Sequence, residues 1–508
     1  MSPRLQRYSP YYLHLLIILF FLTRLVNLTL LPIFSDEAVY VEWAWRMTHV
    51  PGLAFHSLQD GKQPLLMWIF GLFQNFFSDP LLASRLVSVL FGSFNLWGIY
   101  YLAGDVFNRK TAVVSVLLYI FIPFFFFFDR QALMESSLVS VYLLTFIFLL
   151  RFYRSPGYLT AAFPGIILGF GFLNKSTPVL FLLALFIIHA LYLIRRRSQI
   201  VSFTAFTLVT LTCFFLVNIP MLIQPVFWKT LYRTGDYALP LPQLLRFPLI
   251  TWISNFINHL EILILNFTPV ALIAAILGIT SLVKNPDFKK RLLVLWITIP
   301  LLLYFLTIRH TNDLSFRYLT PFVPLLILPA AYYLSFRFFL TVVALVLPVF
   351  FTLQLMFYPV SYFRIKSRLT RYSYIGSYVT GYDTGYQVNA LRSYINEVSR
   401  DRPIILATAV HTFNPESALA AYYRRYPRVQ FAYLDGRLIG EETIGTIDCI
   451  SSDLPVYFIA KLDDKVNLDK FLEKVTVITN PYNFDYSTIY TLKTNCTGQT
   501  VRLNLSGP

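Results

Sequence analysis

FFLTVVALVLPVFFTLQLMF, residues 338–357, runs for twenty residues without an ionisable side chain. A helix of that length rises roughly 30 Å, the thickness of a bilayer's hydrocarbon core. Outward from it the pattern repeats. Apolar stretches of spanning length recur near 11–31, 83–107, 111–128, 135–153, 158–173, 177–194, 200–222, 263–283, 291–308 and 320–336, so the sequence predicts about eleven transmembrane helices. Composition agrees, with 56% hydrophobic and 13% charged residues against roughly 25% charged in a soluble domain. The chain reads as an α-helical polytopic membrane protein.

Lysine and arginine gather in cytoplasmic loops, and here they alternate with the predicted helices. Arg4, Arg7, Arg109, Lys110, Arg151, Arg154, Arg195 to Arg197, Lys284, Lys289 to Arg291 and Arg337 all fall on one predicted face, taken as cytoplasmic. Acids fall on the other: Asp36, Glu37, Glu42, Asp60, Asp79, Asp129, Glu135, Asp236, Glu261 and Asp313, with Asp105 and Asp287 as exceptions. The first segment is long, lacks a small-residue cleavage site and leads straight into acids, so it reads as a retained helix rather than a signal peptide. A net charge of +16 is accounted for by short loops facing anionic headgroups, and no nucleic-acid partner is implied.

Past residue 358 the apolar runs shorten and charges and turn residues appear. Helices at 391–400 and 416–426 and strands at 403–410, 428–434 and 455–460 predict a small α/β domain. The division is thus a membrane domain over 1–358 and a soluble domain over 359–508, which an odd number of spans leaves outside. That domain has neither a glycine-rich phosphate loop nor a triad signature. Cys213 reads as helix packing. Cys449 and Cys496 fall in the exported tail, where a disulfide is permitted; the sequons at Asn495 and Asn504 matter only in a host that glycosylates them.

Ionisable residues near the membrane carry a cost and so invite a functional reading. Ser35-Asp36-Glu37-Ala38 follows the first helix, and Gly61-Lys62-Gln63-Pro64-Leu65 follows a loop later. A carboxylate base beside a cation suits deprotonation of a hydroxyl together with stabilisation of a phosphate leaving group. Plainer readings exist for each residue. Asp36 and Glu37 suit a helix start and Lys62 suits a snorkelling interfacial lysine. Asp129-Arg130 suits a surface pair, Glu135 a helix start, Asn174-Lys175 a turn, and Arg317-Tyr318 an interface anchor.

The order Arg24-Leu25, Asp36-Glu37, Lys62 to Leu65, Asp129 with Glu135, Leu173-Asn174-Lys175 and Arg317-Tyr318-Leu319-Thr320-Pro321 resembles the GT-C fold glycosyltransferases that use polyprenyl-phosphate sugars. The group comprises the protein O-mannosyltransferases, the aminoarabinose transferases and the RgtA-like branch, and the resemblance covers about residues 11–340. It implies Asp36 as general base with Glu37 beside it, and Lys62, Lys175, Arg317 and Tyr318 on the donor phosphate. Asp129 and Glu135 are then placed to orient the acceptor or Lys62. Gln63 replaces a proline of the family's Lys-Pro-Pro-Leu stretch, and Asn174 and Ser176 depart from its Leu-Thr-Lys-Gly turn.

The activity so implied is inverting transfer of a sugar to a hydroxyl of a protein, glycolipid or polysaccharide, at the outer face of a prokaryotic plasma membrane. Asp36, Glu37 and Asp129 are hard oxygen ligands of the kind a divalent metal takes. Lysine and arginine already supply cations, however, and transfer without metal or other cofactor is expected. Three other readings stay open: a transporter or flippase of lipid-linked sugar, a lipid-linked glycan polymerase or ligase using His259, Arg309 and His310, and a non-catalytic scaffold.

Overall fold

A computed structural model describes residues 9–195, 200–309, 316–381, 384–409, 414–434, 454–461, 472–482 and 486–492. Asp313, His310, Cys449, Cys496 and both sequons lie outside them. The chain forms two compact units. One comprises Met1–Leu28, Arg46–Leu72 and Arg85–Tyr358; the other comprises Thr29–Trp45, Phe73–Ser84 and Pro359–Pro508.

The first unit is a helical bundle. Five of its described helices are long and apolar enough to cross a membrane: Pro80–Val106, Glu135–Arg154, Phe203–Leu222, Phe288–Thr307 and Phe338–Phe357. A sixth crossing arises if Leu249–Phe267 and Pro269–Lys284, bent by 110° at Thr268, count as one span. Leu13–Leu25, Tyr158–Asn174, Pro178–Ile194 and Pro324–Leu334 are shorter apolar helices. The protein is an integral membrane protein, and five or six spans meet this criterion among the described residues.

Proline explains two of the differences, because it removes a backbone donor and disfavours helix in the residue before it. The stretch 111–128, expected as one span, breaks at Ile122 into Arg109–Phe121 and Pro123–Phe128. Phe124 to Phe128 are at most 1% exposed, so this aromatic run is protein core rather than lipid-facing surface. Likewise 320–336 is broken by Pro321 and Pro324 into two 3-10 turns before Ile327–Leu334. The third difference is the stretch 224–261, expected as an outer loop. Its latter part opens the helix Leu249–Phe267, which buries Asn255, His259 and Asn266 and exposes Ile250, Ile253, Phe256 and Ile257. Polar residues inward and apolar residues outward is the pattern of a helix bathed in lipid.

Bundle packing relies on small residues, as it does where lipid removes the hydrophobic drive between helices. A Cβ on Gly165 would lie 2.2 Å from the Thr210 carbonyl oxygen and 2.9 Å from Cys213 Cβ, so Tyr158–Asn174 and Ile200–Leu222 touch along their backbones. Asn218 Nδ2 donates to Gly169 O at 3.1 Å in the same seam. Gly165→Val is expected to cost about 1–3 kcal/mol through overpacking, read as a lowered melting temperature of the purified protein in detergent.

The helix Glu135–Arg154 spans 20 residues, roughly 30 Å, and its two ends differ in chemistry. At the Arg154 end, Asp105 pairs with Arg154 and, at 3.3 Å, with Lys289, while Lys110 lies 5.9 Å over the Phe336 ring. These are residues that the alternation of charge assigned to a single face. At the Glu135 end lie the candidate site residues of this unit.

The second unit contains a five-stranded sheet: β1 (Ile404–Ala409), β2 (Val429–Leu434), β3 (Val456–Lys461), β4 (Leu472–Thr479) and β5 (Tyr486–Leu492), in the order β2-β1-β3-β5-β4. β2, β1 and β3 are parallel; β5 runs antiparallel to β3 and β4. The helix Glu416–Tyr423 is the crossover that a parallel β1–β2 pair requires. Leu391, Ile395, Leu406, Leu419, Phe431 and Ile489 form the core. β4 and β5 are additional to the α/β pattern read from sequence. Glu473 and Lys474 interrupt the apolar run of β4, which masks its alternation.

Candidate active site

Three polar clusters and one helix start carry the residues singled out by sequence. Glu135 opens its helix and is wholly buried. Its Oε1 accepts from Lys175 Nζ at 3.0 Å and from Arg317 Nε at 3.1 Å, and its Oε2 makes no hydrogen bond among the described residues. Lys175 sits here because it is the C-cap of Tyr158–Asn174. Arg317 sits here because neighbouring Phe316 is clamped against Phe124, Phe127 and Phe128, with centroids 4.8–6.1 Å apart. The Tyr318 ring lies 5.0 Å from Lys175 Nζ and 5.7 Å from Arg317 Cζ. Two cations share one buried carboxylate.

A second cluster surrounds Lys62. The 3-10 turn His56–Asp60 ends at Gly61, whose φ of +69° is left-handed and suits glycine. Past this turn the Lys62 ammonium pairs with Asp60 Oδ2 at 2.8 Å, each side chain 25% exposed. Asp60 also pairs with Arg233, whose Nη1 donates to Asp60 O at 3.0 Å. Leu58 packs with Leu173, Met221 and Phe227, which seats this turn at the end of the bundle where Leu173 leads into Lys175. Sequence reasoning missed the link from Asp60 to Arg233. Its only signal was that both lie among the charged residues of outer loops.

The third cluster is internal. Arg24, wholly buried, donates from Nε and Nη2 to Asp129 Oδ2 at 3.3 and 3.1 Å. Asp129 also accepts from Tyr119 Oη at 3.1 Å and from Ser136 Oγ at 2.6 Å. Gly92 makes room for it: a Cβ there would fall 2.5 Å from Asp129 Cγ. Arg130 donates to the carbonyls of Thr23, Arg24, Val26 and Asn27 at 2.7–2.9 Å, closing the end of the first helix as basic residues do. Arg85, fully buried, donates to Leu28 O at 2.8 Å. The Asp129-Arg130 pair is therefore not at the surface. Asp129 pairs with Arg24, and Lys62 pairs with Asp60.

In the second unit, Asp36 and Glu37 stand in the first turn of Ser35–His49. Glu37 is fully buried, and its Oε2 accepts from Phe34 N at 3.0 Å. That is the return bond of a capping box, which satisfies a donor the helix start leaves open. Asp36 is half-buried, at a helix end whose dipole favours negative charge. The two neighbouring acids thus differ: Glu37 turns inward to hold the helix, and Asp36 retains access to solvent. Among the described residues, no three His, Cys, Asp or Glu side chains gather as a metal site.

Residues 61–223 match the family described as dolichyl-phosphate-mannose-protein mannosyltransferase. No curated protein sequence matches. The fold is that of the GT-C glycosyltransferases. It is similar to the crystal structure of ArnT from Cupriavidus metallidurans bound to undecaprenyl phosphate, with 13% identity over 97% of this chain and 99% of that one and a TM-score of 0.61. It is also similar to the same protein in the apo state, with 12% identity over 98% and 100% of the two chains and a TM-score of 0.58. A looser likeness, 12% identical over 99% of this chain and 76% of the other with a TM-score of 0.49, is to the oligosaccharyltransferase AglB of Archaeoglobus fulgidus in complex with an inhibitory peptide and a dolichol-phosphate.

Proposed function

We propose that this protein transfers a sugar from a polyprenyl-phosphate donor to an acceptor hydroxyl, with inversion at the anomeric carbon. The observation that carries the reading is the pairing of cations at one end of a membrane bundle: Lys62 with Arg233 around Asp60, and Lys175 with Arg317 around Glu135. The family match over residues 61–223 and the ArnT-like fold support it. A polyprenyl tail lies among helices while its phosphate meets these cations. Lys62 and Arg233 are the more accessible of them, their side chains 25% and 39% exposed around the shared Asp60.

In the transfer step Asp36 takes the acceptor's hydroxyl proton. The oxygen attacks the anomeric carbon as the bond from that carbon to the phosphate oxygen breaks, and polyprenyl phosphate leaves with the bonding electrons. Cations fixed in advance stabilise the charge that grows on the leaving phosphate. Four such cations supply the positive charge without a metal. The acceptor is a protein, glycolipid or polysaccharide, and the site, with residues 359–508, faces the outside of a prokaryotic plasma membrane.

The test is donor capture. Lys62→Met removes the charge and keeps the stem. It is expected to raise the barrier to transfer by about 2.7–4 kcal/mol, the cost of one lost oxyanion donor, and to weaken binding of radiolabelled polyprenyl phosphate to the protein in liposomes. Full binding and full transfer by Lys62→Met would count against a phosphate at this position.

A further inference from the structure

The segment that carries Asp36 is held from both sides by residues beyond 358. Before it, Asn414 Nδ2 donates to the buried Ile33 O at 3.0 Å. Gly385 backs onto the same turn so closely that a Cβ would stand 2.4 Å from Ile33 O. The Phe34 ring lies 4.8 Å from that of Tyr378. After it, Ala38 packs with Ile33, Leu81, Val388 and Ala418 in one small core. Further along the same helix, Arg424 pairs with Glu42 at 2.8 Å, the two side chains 14% and 3% exposed, and its guanidinium lies 5.1 Å over the Trp45 ring. Arg425 completes the frame through Gln74, donating to its carbonyl at 2.6 Å while Gln74 Nε2 donates to Val41 O at 2.9 Å.

An aspartate with its neighbours fixed on either side has little freedom to move. Its helix start is organised by a capping bond of its own, Glu37 to Phe34, and by Asn414 one residue further back. The second unit therefore contains the start of the first-loop helix within its own core.

We propose that Asn414 and Arg424 are positioning residues for Asp36, so that the C-terminal unit sets where the base stands. The proposal rests on the glycosyl-transfer reading above and assigns that unit a part in the chemical step. A base displaced by about 1 Å costs on the order of 10²-fold in rate, whereas donor affinity, set by the cations, is untouched.

The experiment compares the full-length wild type, Arg424→Leu, Arg424→Lys and Asn414→Ala in liposomes. It measures kcat and donor KM for sugar transfer, and hydrogen exchange of the amides of residues 33–45. Arg424→Leu is expected to lose on the order of 10²-fold in kcat at unchanged donor KM, with faster exchange over 33–45. Arg424→Lys, which keeps a cation opposite Glu42, recovers most of kcat, and Asn414→Ala moves the same way as Arg424→Leu by a smaller factor. Unchanged kcat in Arg424→Leu and Asn414→Ala, with an active wild type, overturns the proposal. If Arg424→Leu does not fold, Asn414→Ala decides: lost kcat at unchanged donor KM supports positioning, and full kcat overturns it. A wild type that transfers no sugar is a different result, because it overturns the glycosyl-transfer reading itself.

Discussion

Asp36→Asn is expected to lower sugar transfer by about 10²–10⁴-fold, the usual contribution of a positioned general base, in a protein that still folds and still binds donor. The substitution preserves size and removes the proton acceptor. Folding should survive because Glu37 supplies the capping bond to Phe34 and the Ile33 turn is held by Asn414. The contrast between the two acids is itself a prediction. Glu37→Gln should act mainly on stability, at about 0.5–2 kcal/mol as for a lost cap, and only secondarily on rate. Single-turnover transfer from a radiolabelled donor, alongside thermal melts of each variant, separates the two effects. Equal loss of activity from both substitutions, or none from Asp36→Asn, would contradict these roles.

Asp129→Leu is expected to destabilise the protein by about 3–5 kcal/mol, because it strands the buried Arg24 charge. The Arg24 guanidinium is wholly buried and its carboxylate partner 1% exposed, so water cannot substitute for the lost oxygen atoms. Tyr119 and Ser136, which also donate to Asp129, would lose their acceptor at the same time. Arg24→Met combined with Asp129→Leu removes both charges, and it is expected to recover most of the loss, since apolar replacement of a buried pair is often neutral. Yield of monodisperse protein after heating in detergent reads both variants. A stable Asp129→Leu protein that fails only in transfer would instead give Asp129 the acceptor-orienting role that the sequence suggested.

The sequence was most legible where a single physical rule acts alone. Spanning length marked the helices Pro80–Val106, Glu135–Arg154 and Phe338–Phe357 almost to their ends. The alternation of basic loops brought Arg154 and Lys289 to one end of the bundle, where Asp105 receives both. Legibility failed where two rules compete. The run Phe124 to Phe128 satisfies any hydropathy criterion, but Pro123 interrupts the backbone and the rings pack on Phe316 instead of lipid. Leu249–Phe267 was hidden because its polar residues, Asn255, His259 and Asn266, are the buried ones, the reverse of a soluble helix.

The candidate site was legible as a set of residues and not as a set of pairs. Order and sidedness selected Glu135, Lys175, Arg317 and Tyr318, which meet in space. The same criteria could not reveal that Lys62 takes Asp60 and Arg233 as its companions, or that Asp129 faces Arg24, 105 residues earlier in the chain. Pairing over such separations is decided by packing at helix ends, which a short motif does not encode.

Direct transfer from lipid phosphate can be followed in a single measurement. Purified wild-type protein in liposomes is given a polyprenyl phosphate carrying a radiolabelled sugar, together with an acceptor-containing membrane extract. Label is expected to move into acceptor material while free polyprenyl phosphate appears in equal amount, and the new linkage is expected to have the opposite anomeric configuration to the donor. Label that stays on the lipid while the lipid changes leaflets would contradict it and identify a transporter in place of a transferase.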